Sequence, residues 1–155
     1  MNLTRTHDAL WSAAVCFTVV CLVLLRGDSL SIGVWYYIAV PLASFVIGAI
    51  GYPKPLFQFG NSLAVATTFI IYLSINWHAS HSDGLLGLGH LFSLPGAALG
   101  VFLSTYLLDR QESPSVIFSF LAGLLGFSVG FFLNQLYVCN TDMWCGPLSL
   151  RIFFD

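Results

Sequence analysis

Five long stretches of this chain carry no aspartate, glutamate, lysine or arginine, and the few charged residues fall between them. Drawn to those charges, the stretches are about 9–25, 32–52, 60–79, 85–108 and 115–138. Crossing about 30 Å of hydrocarbon takes about 20 apolar residues at 1.5 Å each, so every stretch reads as a transmembrane helix. Arg26 and Asp28 end the first, Pro53 and Pro55 the second, Asp83 and Gly84 the third, and Asp109 and Arg110 the fourth. Pro114 stands where a first-turn proline costs no hydrogen bond. The stretches lack the alternation of a barrel wall, which excludes strands.

Composition agrees with this reading. Of 155 residues, 57% are hydrophobic and 8% charged, against about 25% charged in a soluble domain. There is too little polar surface to keep such a chain in water. The expected fold is all-α: a polytopic integral membrane protein whose residues 1–155 form one compact bundle of five transmembrane helices, or four if one stretch fails to cross. Residues 139–155 form a short outer tail. The connections are short, so consecutive helices are expected to be antiparallel neighbours. The first stretch is too apolar and slightly too long for a cleaved signal core, and it reads as a retained anchor. The five basic and seven acidic residues are scattered. That excludes a nucleic-acid surface, which needs clustered cations, and leaves the lipid bilayer as the certain partner.

Two features set the orientation. With the N-terminus inside, Arg5, Lys54 and Arg110 lie on the inner side, against Arg26 and Arg151 outside. Cys139 and Cys145 bracket CNTDMWC after the last helix, where a small disulfide loop closes if the compartment is oxidising. An N-in, C-out chain in a bacterial inner membrane satisfies both. Cys16 and Cys21 stand about 140° apart on one helix and cannot bridge each other, so they are expected to pack as small apolar groups.

In lipid, helices associate through close packing at small residues. Ala122, Gly126 and Gly130 are spaced four apart on the fifth stretch, and Gly96 and Gly100 lie beside Ser93, Ala97 and Ser104 on the fourth. These faces serve packing within one chain or between two copies. Pro95 removes a hydrogen bond inside the fourth stretch and is expected to kink it.

The segment NWHASHSDGLLGLGH holds most of the candidate chemistry. His90 falls about 9 Å into the fourth stretch, and an ionisable group at membrane depth is a functional candidate by default. If the third and fourth stretches form a level hairpin, His90 pairs with Ser74 or Asn76. Asn134 and Gln135 come to a similar level, giving an outward-facing polar pocket of Asn76, His90, Asn134 and Gln135. His78, His81, Asp83 and His90 are all residue types that ligate zinc or copper, although no established motif has their spacing; no cofactor is otherwise implied.

No catalytic set stands out: GDS at 27–29 is not a GxSxG elbow, and a CxxC pair is missing. The expected function is therefore a small non-catalytic membrane protein acting through another membrane protein, or a second copy of itself, as an accessory, assembly or immunity-type subunit. The alternative is a small solute or metal transporter using the pocket around His90. A metal-dependent membrane enzyme built on His78, His81 and Asp83 ranks third.

Overall fold

In the computed structural model, residues 5–50, 54–78, 84–112 and 114–141 are described. They form five helices: α1 (Arg5–Arg26), α2 (Tyr36–Ile50), α3 (Phe57–His78), α4 (Gly84–Asp109) and α5 (Val116–Thr141), with no strand among the described residues. Four of them, α1, α3, α4 and α5, are long and apolar enough to cross a membrane. The chain is thus an all-α protein with the features of an integral membrane protein.

The second helix departs from expectation. It has 15 residues rather than the 21 implied by 32–52, and at 1.5 Å each it is about 22 Å long, short of the hydrocarbon thickness. Residues 27–35 turn inward instead of extending it. Gly27 and Gly33 take positive φ angles of 89° and 94°, and Ser31 takes 56°. These turns put Leu30 into the core at 1% exposure. Ile32 and the Leu30 carbonyl lie so close to Gly87 that a Cβ there would meet Ile32 Cδ1 at 2.5 Å. Asp28 closes the connection by accepting from the Tyr37 hydroxyl and the Gly33 N–H, both at 2.6 Å.

Helices α1, α3 and α5 run in one direction, and α2 and α4 return. The antiparallel pair α4 and α5 has the most extensive contact, as the chain order predicts. The hairpin of α3 and α4 does not form in the expected way, because the two helices barely touch and α5 packs against both. The cause is visible at the glycines. A Cβ on Gly100 would meet the Gly126 carbonyl at 2.0 Å, and one on Gly96 the Gly130 carbonyl at 2.4 Å. A Cβ on Gly60 would meet the Phe120 carbonyl, and one on Gly123 the Phe57 carbonyl, both at 2.2 Å. Helix α5 is therefore flanked by two backbone-to-backbone contacts. Gly126 and Gly130 face α4; Gly123 faces α3, and Ala122 is half-buried against the core.

Helix α3 is the hub, since it packs on α1, α2 and α5 and reaches α4 through His90. Its sequence explains why. FQFGNSLAVATTFIIYLSINWH carries Gln58, Asn61, Thr68 and Asn76, all buried. Polar groups facing lipid would lack partners, so this helix is stable only when surrounded.

Candidate functional site

The interior polar groups of the bundle make four separate ties to α3, starting at the end where α3 begins. Asp8 lies inside α1, which starts four residues earlier than the sequence suggests, and is 4% exposed. Its carboxylate accepts from the Phe59 N–H at 2.8 Å and the Gln58 N–H at 3.3 Å. One helix thereby supplies the N-terminal cap of another: free N–H groups and the positive dipole end meet an acidic side chain. One turn along, the Ser44 hydroxyl donates to Asn61 Oδ1 at 3.0 Å, Asn61 Nδ2 donates to the Ser44 carbonyl at 3.2 Å, and Gln58 Nε2 donates to the Phe45 carbonyl at 3.1 Å. These bonds hold α2.

The third tie contains His90, which is fully buried. The Thr68 hydroxyl donates to the Val65 carbonyl at 2.8 Å, so its oxygen accepts from His90 Nε2–H at 3.3 Å. Nδ1 is then the acceptor of the Tyr36 hydroxyl at 2.7 Å. The network fixes a neutral imidazole protonated at Nε2, with both nitrogens engaged. Aromatic rings enclose it. Phe69 stacks on the imidazole at 4.7 Å and 13°, Tyr72 meets it edge-on at 4.9 Å, and Phe131 and Tyr36 complete the cage at 5.0 and 5.7 Å. Four helices thus converge on one ring.

The residues expected to share a pocket with His90 lie elsewhere. Asn76 is buried one turn beyond Tyr72, and its Nδ2 donates to the Ser29 carbonyl of the tucked 27–35 connection. Gln135, one turn beyond Phe131, is 2% exposed, and its Oε1 has no partner among the described residues. Asn134 points away from α3, where its Nδ2 donates to the Phe92 carbonyl of α4 at 2.6 Å. The level-hairpin argument fails because α5 lies between α3 and α4. His90 therefore meets Thr68, about 12 Å along α3 from Asn76 at 1.5 Å per residue.

Of the candidate metal ligands, His78 is exposed at the end of α3 and its Nδ1–H donates to the Ser74 carbonyl at 2.7 Å. His81 and Asp83 lie outside the described residues, as does Cys145. Among the described residues no three His, Cys, Asp or Glu side chains are grouped to hold a metal. Cys139 is buried near the end of α5, and Cys16 and Cys21 are free thiols half-buried on α1.

Most of the residues in these ties escaped sequence reasoning, Ser44, Gln58 and Asn61 among them. Asp8 preceded the first stretch as drawn, Tyr36 read as one aromatic among many, and Thr68 gave no signal apart from being polar in an apolar run. Lateral grooves run between neighbouring helices: about 580 Å³ along α4 and α5, about 520 Å³ along α1 and α2, about 430 Å³ beside Trp11, Phe59 and Phe120, and about 300 Å³ along α2 and α4. Comparisons with known protein families, with characterised proteins and with solved structures find no match to this chain.

Proposed function

We propose that this chain is a small non-catalytic membrane protein that works by lateral contact with another membrane protein, as an accessory, assembly or immunity-type subunit. The observation that carries this reading is the enclosure of His90. His90, which falls inside the fourth apolar stretch, has no exposed surface, and both ring nitrogens are bonded within the fold. A transport pathway needs polar groups that line a water-filled route and can exchange partners. Here those groups join helix to helix, and the long apolar side chains of α1, α4 and α5 face outward. Contact through these faces is what the fold leaves available.

We place the protein in a bacterial inner membrane with its N-terminus inside, on the distribution of Arg5, Lys54 and Arg110. In that orientation Cys139 and Cys145 meet an oxidising compartment and close the loop CNTDMWC. The short α2 then acts as a partial crossing completed by the tucked 27–35 connection.

Affinity purification after mild detergent extraction tests the proposal. One defined membrane protein is expected at fixed stoichiometry, and to be lost on replacing exposed leucines of the contacting face with tryptophan. A chain that emerges as a single protein species from every mild detergent contradicts it.

A further inference from the structure

Buried oxygens without a partner gather at one end of the bundle. Among the described residues four buried side-chain atoms make no hydrogen bond: Ser29 Oγ, Gln58 Oε1, Tyr72 OH and Gln135 Oε1. Gln58 stands apart, at the start of α3 against Gly48. The other three belong to the opposite end, where α3 and α5 finish and the 27–35 connection tucks in.

Helix register brings these groups to neighbouring levels. Tyr72 and Gln135 are equally far along the chain from Gly60 and Gly123, where α3 and α5 touch, and each stands about 9 Å before the end of its helix at 1.5 Å per residue. Gln135 follows Gly123, Phe127 and Phe131 along the buried stripe of α5, and Phe131 packs against the Tyr72 ring at 6.0 Å. The Tyr72 hydroxyl lies beside Ser93 of α4 without a hydrogen bond to it. Ser93 donates to the Gly89 carbonyl at 2.7 Å, so its oxygen can still accept. Ser29 joins from the connection, since its carbonyl takes Asn76 Nδ2 one turn beyond Tyr72. Tyr72 and Gln135 are 1% and 2% exposed, and Ser93 is fully buried.

We infer that bound water bridges these groups, tying α5 and the 27–35 connection to α3. A buried oxygen with no partner costs free energy, and an ordered water among several polar neighbours removes that cost. The hydroxyls of Tyr72 and Ser29 both donate and accept, while Ser93 and Gln135 Oε1 accept. Water, which donates two protons and accepts as readily, matches that set. A cation does not, because every one of these oxygens is neutral and Asp28, the described acid at this end, is committed to Tyr37 and the Gly33 N–H. Among the described residues, the side-chain hydrogen bond that leaves α5 goes to α4, from Asn134. Water on Gln135 adds the polar link to α3.

This inference concerns the interior and is independent of the proposed function, which concerns the outer faces. A dry interior leaves the accessory reading standing, and a chain without a partner protein leaves the water in place.

The test uses the full chain in lipid nanodiscs. Short X-ray pulses turn water into hydroxyl radicals, which modify the aromatic rings beside them, and mass spectrometry locates the products. Tyr72 is expected to be modified, while Phe57 and Phe127, which are similarly buried, are not. Gln135→Leu is expected to abolish the modification of Tyr72. Stability gives a second readout in which the two cases differ in sign. With water on the Tyr72 hydroxyl, Tyr72→Phe removes a hydrogen bond and lowers the folding equilibrium constant about 2- to 10-fold. Removing an unpaired hydroxyl raises it instead. The double variant Tyr72→Phe with Gln135→Leu is expected to lose less than the product of the two single losses, since both act on the same water. Three results overturn the inference: Tyr72 as unreactive as Phe127, Tyr72 modification unchanged by Gln135→Leu, or a Tyr72→Phe chain more stable than the parent.

Discussion

Removing the hydrogen bond between Tyr36 and His90 one partner at a time separates an interior tie from an exchangeable site. His90→Phe keeps a ring of similar shape against Phe69 and Tyr72 but strands the Tyr36 hydroxyl that now donates at 2.7 Å. Thr68 loses less, because its own hydroxyl still donates to the Val65 carbonyl. Tyr36→Phe strands the acceptor Nδ1 instead. Each single change leaves one unmet polar group and costs about 1–3 kcal/mol. The double variant leaves neither, and its cost falls below the sum of the singles by about 1–2 kcal/mol. His90→Ala removes the ring from a cage of four. In a soluble core an aromatic-to-alanine change costs about 3–5 kcal/mol. In lipid the solvent-transfer part shrinks, which leaves about 2–3 kcal/mol from lost contact. Reversible unfolding in mixed micelles, titrated with a denaturing detergent, gives these differences, and ¹⁵N spectra of labelled histidine report which nitrogen carries the proton. Additive single and double effects, within about 0.3–0.5 kcal/mol, refute the bond as described; so does an imidazole protonated at Nδ1.

The same unfolding assay checks three further expectations. Gly123→Ala would push a Cβ against the Phe57 carbonyl at 2.2 Å, where only backbone can yield, whereas Gly48→Ala meets the movable end of Gln58 at 2.9 Å. The first should cost about 3 kcal/mol or more and the second about 1 kcal/mol or less; equal costs would contradict the close approach of α3 and α5. Asp8→Ala should cost about 1–2 kcal/mol through the lost cap on α3, and Asp8→Asn, which retains an acceptor oxygen, distinctly less. Ser31→Gly, at an exposed position with φ of 56°, should stabilise by about 0.5–1 kcal/mol by releasing left-handed strain, while Gly33→Ala at φ of 94° should do the opposite.

How much of this was legible in the sequence depends on whether a feature is local or arises where helices meet. Gaps between charges located all five helices, because desolvating a charge in hydrocarbon costs more than any local propensity can return. They misplaced the start of α2, since Ile32, Val34 and Trp35 are as apolar as a span and only the turns at Gly27, Ser31 and Gly33 remove them from it. The glycines of α4 and α5 were readable as packing residues. That Gly123 would serve a different neighbour from Gly126 was not, because it follows from α5 lying between α3 and α4. His90 was singled out from its place within the fourth apolar stretch, and the structure buries it completely. Its partners were missed because equal depth was measured along a hairpin whose two helices do not pair.

Burying the polar residues on one helix also bears on where this protein can act. Gln58, Asn61, Thr68 and Asn76 all lie on α3 and between them bond three neighbours: Gln58 and Asn61 hold α2 through Phe45 and Ser44, Thr68 holds α4 through His90, and Asn76 holds the 27–35 connection through Ser29. Asp8 adds α1 to the set. A hydrogen bond between membrane helices has no water to compete with it, and these ties specify which helix sits where in a bundle whose apolar surfaces discriminate poorly. The same residues cannot serve a permeating solute without releasing the helix they hold. The outer faces of α1, α4 and α5 carry long apolar side chains instead.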